Sequence, residues 1–387
     1  MNTRERLLAT MHFQPVDRCP LWEWHYLDET VHQWHAQGLP AEVYLPPVAS
    51  GEWCAPAGST GSVDPTDMNI ADYFGLDRGQ PYCPGAVELV PVNTGMEPPF
   101  ETRTLAETAE RCVFVDGDGI TQEVFKDREP AMPRFIDFPV KSRADFEALT
   151  WRFDSTSVGR YPADWEQYKA QAAGRDYALG LTFDGFFGRL RKWMGLETML
   201  LTLYDDPALI QEMCEFHTAF VLATIRQTLA EVRIDYANIW EDMAYKTGPL
   251  ISPRHVRQYF LPGYRQIVDL LRSSGVDIIF VDSDGNLDLL IPIWLEAGIN
   301  GVWPIEVAAG MDPVALRSQY GRDLLLVGGI DKRRLSKGRA ELRDEVLSKV
   351  PALNEGGGYV ATVDHSVPPD IPLDNYWLFR HMLAELA

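Results

Sequence analysis

From about residue 177 onward the chain alternates short apolar runs with helix-length amphipathic segments. The runs are YALGLTF, IDYANIW, VDIIFV, INGVWPI, DLLLVGGI and GYVATV. They are near-continuous in apolar residues rather than alternating, which is the pattern of parallel strands covered on both faces. Between them lie helix signals such as Ser252-Pro253, a capping residue and a first-turn proline, ahead of RHVRQYFLPGYRQIVDLLRSSG with its terminal glycine. The first half is less regular. Residues 3–12 predict a short helix and RCPLWEW a strand, residues 36–100 are rich in Pro and Gly and predict irregular loops, and ERCVFVDGDGITQEVFK predicts a hairpin turning at DGDG. Serial strand-helix units of this number predict one domain over 1–387. Its expected form is an α/β closed (β/α)8 TIM-type barrel with an N-terminal extension and a β-hairpin insertion at about 85–140. A doubly wound open sheet is the alternative, but no G-x-G-x-x-G follows a strand.

Composition narrows the partners. With 56 acids against 35 Lys and Arg, the formal charge of -21 opposes nucleic acid and anionic membranes and favours a small-molecule substrate or a protein partner. No run approaches a membrane span, and the N-terminus lacks the apolar centre of a secretion signal, so a cytoplasmic location is expected. The five cysteines at 19, 54, 83, 112 and 214 form no C-x-x-C pair and fit reduced thiols.

In a barrel of this kind chemistry sits at the C-terminal ends of the strands, and there the sequence is consistently acidic. The ends carry Glu23, Asp184, Glu241 with Asp242, Asp282 with Asp284, Glu306, Asp331, and Asp364 beside His365. Asp also favours turns because it bonds nearby backbone N–H groups, so Asp184-Gly185 and Asp284-Gly285 have a structural reading as well. The spacing of Asp282 and Asp284 puts both on one side of a continuing strand, as a metal or a cationic substrate would require. An EF-hand is excluded, since Gly285 falls at the fourth loop position and Ile293 at the twelfth. His365 at a strand end would serve as proton donor or metal ligand near neutral pH, or as a structural histidine. Trp22 and Trp24, with Phe183, Phe186 and Phe187, would line an aromatic substrate pocket or belong to the core. RLRKW at 189–193 would offer an anion contact or a solvated helix face.

The same residues carry a likeness. The opening TRERLLATMHFQPVDRCPLWEW and the later VDSDGN, LLLVGGIDKRRLSKG and GGGYVATVDHSVPPDIPLDNY resemble the uroporphyrinogen decarboxylase superfamily, the second half being most similar to its corrinoid-linked methyltransferase (O-demethylase) branch. The resemblance implies a single barrel and an enzyme. The decarboxylases grip their polyanionic substrate with an Arg-rich segment after the first strand, and WEWHY stands there instead. In the methyltransferases a His-x-Cys holds zinc where this chain has Asp282-x-Asp284, and His365 falls at the last-strand ligand position. The resemblance therefore implies a metal set of Glu241, Asp282, Asp284 and His365 holding zinc, with Glu241, Asp184 and His365 as catalytic residues. The implied reaction moves a methyl group from a small methoxylated, aromatic substrate to cobalamin carried by a partner corrinoid protein, because no D-x-H-x-x-G motif is present. A decarboxylase or lyase acting on a different small acid, and a barrel that only binds a ligand, are the competing readings.

Overall fold

The computed structural model describes residues 1–44, 68–126 and 133–386. Part of the expected loop region, 45–67 with Cys54, lies outside the described residues.

The hairpin around DGDG is part of a larger antiparallel sheet, β1 (Arg103–Glu107), β2 (Arg111–Val115), β3 (Thr121–Phe125) and β4 (Arg134–Asp137), in sequential order. Its central turn is fixed by Asp116, whose carboxylate accepts the Asp118 and Ile120 N–H groups at 3.0 and 2.9 Å, the local bonding that makes Asp a turn residue.

The second half forms a six-stranded, wholly parallel sheet. Its strands are β5 (Gly180–Asp184), β6 (Tyr236–Trp240), β7 (Ile279–Asp282), β8 (Gly301–Ile305), β9 (Leu325–Gly328) and β10 (Tyr359–Val360), each beside its sequence neighbour. Helices separate them, as crossover connections between parallel strands require. The continuous apolar runs are explained by two cores. Tyr236, Phe280, Trp303, Leu325, Val327 and Val360 point to one face and pack with Trp22, Trp24 and, from the helix Thr3–Met11, Leu7 and Met11. The alternate residues Ala237, Ile239, Ile279, Val281 and Leu326 point to the helices. That N-terminal helix starts where expected because Asn2 and Glu5 form a reciprocal capping box.

Hydrogen bonding continues past both sheet edges. Val90 N–H reaches the Gly180 carbonyl at 2.9 Å beside β5, and Tyr26 bridges Val367 in the segment after β10, while the Ile330–Val363 bridge extends the β9–β10 pair. An α/β fold with such a sheet is consistent with a TIM-type barrel. The expected strand RCPLWEW makes no ladder. Pro20 has no N–H, and the amides around it are taken by side chains: Leu21 N–H by Asp77 at 2.8 Å, Glu23 N–H by Gln80 at 3.0 Å. Glu23 itself, fully buried, accepts Trp24 N–H, Val363 N–H and the Tyr376 hydroxyl. It joins the N-terminal segment to the end of the sheet. No helix of the described residues is long and apolar enough to cross a membrane.

Candidate active site

The segment after β7 is built from both sides. The Asp282 carbonyl accepts the Glu241 and Asp242 N–H groups at 2.9 and 3.3 Å, and Ser283 Oγ accepts Met243 N–H at 3.0 Å. Gly285 has φ +88, and a Cβ there would come within 2.8 Å of the Ala244 and Tyr245 backbone, so only glycine lets the loop pass. Asp284 is thereby presented to His365, its Oδ2 lying 3.4 Å from His365 Nε2. Burial would hold the imidazolium down, but the hydrogen bond and charge of Asp284 outweigh it and raise the His365 pKa above the ordinary value. Glu306 is raised by burial and by Asp284, and accepts Gly285 N–H at 2.7 Å. His25 is pushed by burial to about 4 and is neutral at pH 7. Of the two neighbouring histidines, only His365 is set up to carry a proton.

An aromatic wall stands against this pair. The Trp24 ring lies 5.6 Å from the His365 ring, 4.7 Å from Tyr82 and 4.5 Å from Trp303. Asn238 fixes the wall, accepting Trp303 Nε1–H at 2.9 Å and donating to the Tyr82 hydroxyl at 2.7 Å. Trp22 is deeper, packed on Tyr236 and Trp303 and only 2% exposed. Phe183, Phe186 and Phe187 are elsewhere, in the layer between sheet and helices, where Phe186 stacks on Phe260. The chain turns into the helix Phe186–Met194 directly after β5, which carries these rings outward. Sequence reasoning passed over Tyr82, Trp303 and Asn238. Tyr82 lies in a Pro- and Gly-rich stretch without periodicity, and Trp303 reads as one more apolar residue of a strand.

Five other predicted acids stand at the strand ends. Glu241 is fully buried under the helix Phe186–Met194 and accepts the Phe186 and Gly188 N–H groups at 2.8 and 3.0 Å and the Tyr264 hydroxyl. It occupies the helix N-terminus, and a Cβ on Gly185 would collide with it. Burial raises it to about 7, against those hydrogen bonds. Asp184 is ion-paired to Arg189 at 2.9 Å and Lys192 at 3.0 Å, which overcome burial and hold it at about 2. Asp331 caps its own helix through Arg333 N–H and is paired with the Arg333 guanidinium. Asp364 orders two loops by accepting Val307 N–H and Lys332 N–H. Asp282 is buried at the end of β7.

The zinc set implied by the sequence does not assemble. Glu241 commits both oxygens to the helix and Tyr264, and among the described residues no group of three or more His, Cys, Asp and Glu could hold a metal ion. Asp284 and His365 are the members of the set seen in contact.

The family model described as uroporphyrinogen decarboxylase (URO-D) matches residues 190–385. A uroporphyrinogen decarboxylase of Psychromonas ingrahamii is 27% identical over 180 residues, 43% of this chain and 49% of that protein. One from Aeromonas salmonicida is 23% identical over 277 residues, 66% and 71% of the two. The chain thus spans about half the length of the first of these relatives. Among solved structures, a methyltransferase from Methanosarcina mazei superposes with a TM-score of 0.59 over 100% of this chain and 99% of that one, at 16% identity. At that identity the likeness is one of fold.

Proposed function

Because the chain belongs to the uroporphyrinogen decarboxylase family, we propose that it is an enzyme transferring a methyl group from a small methoxylated aromatic compound to a corrinoid carried by a partner protein. The proposal takes the sheet as a closed eight-stranded barrel whose mouth holds His365. The observation that carries it is His365 Nε2 beside Asp284, with the Trp24 ring against the imidazole. Loss of a methyl group from an aryl ether leaves a phenolate oxygen, and breaking that bond needs a proton delivered as charge develops. His365, whose Nε2–H is held by Asp284 and whose pKa Asp284 raises, donates the proton of its other ring nitrogen, and the ether becomes a phenol. Trp24, with Tyr82 and Trp303 behind it, offers the face on which an aromatic ring stacks. The reduced corrinoid supplies the nucleophile that accepts the methyl group. The fold shared with a methyltransferase supports this direction, as does the absence of arginines in WEWHY.

A second reading draws on the same proton. Loss of carbon dioxide from a small acid leaves a carbanion that His365 would protonate, and the curated relatives are decarboxylases. One experiment separates the two. The purified protein is incubated with methoxylated benzoates and a reduced corrinoid protein, and phenol and carbon dioxide are both measured. Phenol release that requires the corrinoid supports methyl transfer. Carbon dioxide release independent of it overturns methyl transfer in favour of decarboxylation.

A further inference from the structure

We propose that Asp242 is the positioning residue that holds Asp284 against His365. This rests on the reading of His365 as proton donor. The two amides flanking the Asp284 Cα are each held by a carboxylate from a neighbouring strand end. Asp284 N–H donates to Asp242 Oδ1 at 3.4 Å, and Gly285 N–H donates to Glu306 Oε2 at 2.7 Å. The Asp284 side chain therefore leaves the backbone from a segment fixed on both sides.

Asp242 is itself held in an uncommon conformation. Its φ is +50, and Phe13 is the other non-glycine residue with positive φ among those described. Side chains other than glycine visit this region at a steric penalty, and persist there when the surroundings over-determine them. Here the surroundings are visible. Asp242 N–H is drawn with Glu241 N–H to one carbonyl, that of Asp282, and Arg191 donates to the Asp242 carbonyl at 3.0 Å and to Oδ2 at 3.3 Å. Arg191 engages one carboxylate oxygen and leaves Oδ1 for the Asp284 amide. Arg191 is in turn oriented over the Trp240 ring, 5.1 Å from its centroid. The helix Phe186–Met194 is thus connected through Arg191, Asp242 and Asp284 to His365. None of these links places Asp242 on the substrate, so its part is to set the geometry of the pair.

The test uses Asp242→Gly, which keeps the left-handed backbone without strain and removes only the carboxylate, and Asp242→Asn, which keeps an acceptor oxygen and tolerates the same φ. In phenol release, Asp242→Gly lowers kcat about tenfold with KM within about twofold, and Asp242→Asn restores kcat to within about threefold of wild type. In an Asp284→Asn background Asp242→Gly has no further effect, since its action passes through Asp284. The ring Hε1 resonance of His365 at fixed pH, assigned by its loss in His365→Gln, shifts in Asp242→Gly in the direction it shifts in Asp284→Asn. An unmoved resonance, or an equal kcat loss in the Asp284→Asn background, overturns the proposal. Should the wild type release no phenol, the methyl-transfer reading fails while the resonance still decides whether Asp242 positions the pair.

Discussion

His365 Nε2 meets Asp284 Oδ2 at 3.4 Å although the two residues follow β10 and β7, which have β8 and β9 between them. In a flat sheet at about 4.8 Å per strand those ends would stand about 14 Å apart. The contact is made by the segments that follow the two strands, and through it Asp284 favours the charged form of His365. Activity should fall as pH rises through the elevated His365 pKa, and Asp284→Asn should move that descending limb to lower pH, because the hydrogen bond and charge that outweigh burial are then removed. His365→Gln should lower kcat by about 10²-fold. The same shift has a stability consequence. A raised histidine contributes stability that is complete below its unfolded pKa and lost as pH rises through the folded value. The pH dependence of kcat/KM in the three proteins checks the assignment, and a limb indifferent to Asp284→Asn would refute it.

Asp184 should behave as a structural anion. Its partner Arg189 is 2% exposed, so Asp184→Ala leaves a buried guanidinium without its counter-charge and should destabilise the fold by about 3–5 kcal/mol. Its pKa is depressed from 3.8 to about 2, so its contribution is present above pH 3.8 and is lost as pH falls through about 2. Urea denaturation at pH 7 and near pH 2 measures this. The gap between wild type and Asp184→Asn should be wide at pH 7 and narrow at the acid end.

The strands were legible because residues on both faces are apolar: Phe280 looks into the inner core while Ile279 and Val281 look to the helices, giving an unbroken run. Asp284 and His365 stand out in the sequence because a charge closes an apolar run, yet Glu241 and Asp364 close such runs too and are fully buried. What the run does not encode is which face the next residue takes. Trp240 turns to Arg191 and Lys192, and Glu241 turns under the helix, so a strand-end acid that read as a ligand is a helix-terminal acceptor. The first predicted strand was misread for a related reason. The residues that satisfy its amides, Asp77 and Gln80, lie more than fifty positions away, in a stretch with no periodic signal.

Glu241→Gln separates these two readings of an acid. The wild-type carboxyl is raised from 4.5 to about 7, so the folded state holds its proton more firmly, and the associated stability is present below pH 4.5 and lost as pH rises through about 7. Glutamine abolishes that slope. It also turns an N–H toward one of the Phe186, Gly188 or Tyr264 donors, which should reduce stability by about 1–3 kcal/mol. Turnover per folded molecule should stay within about twofold of wild type. A folded, soluble Glu241→Gln protein with kcat down about 10²-fold would return Glu241 to the chemistry.

The aromatic wall beside His365 either recognises substrate or is packing alone. Trp24 is 9% exposed and is the wall residue in ring contact with His365, whereas Trp303 is 2% exposed and hydrogen-bonded to Asn238 behind it. A substrate ring stacked beside His365 would contact Trp24, the ring next to the imidazole. Trp24→Leu should therefore raise KM for a methoxylated aromatic about tenfold, the loss of one good stacking contact of about 1.4 kcal/mol, while kcat changes by less than about threefold. Trp303→Leu should instead lower thermal stability, because it leaves the buried Asn238 carbonyl without its donor. If Trp24→Leu lowers stability and leaves KM unchanged, the wall is packing alone and the substrate ring sits elsewhere.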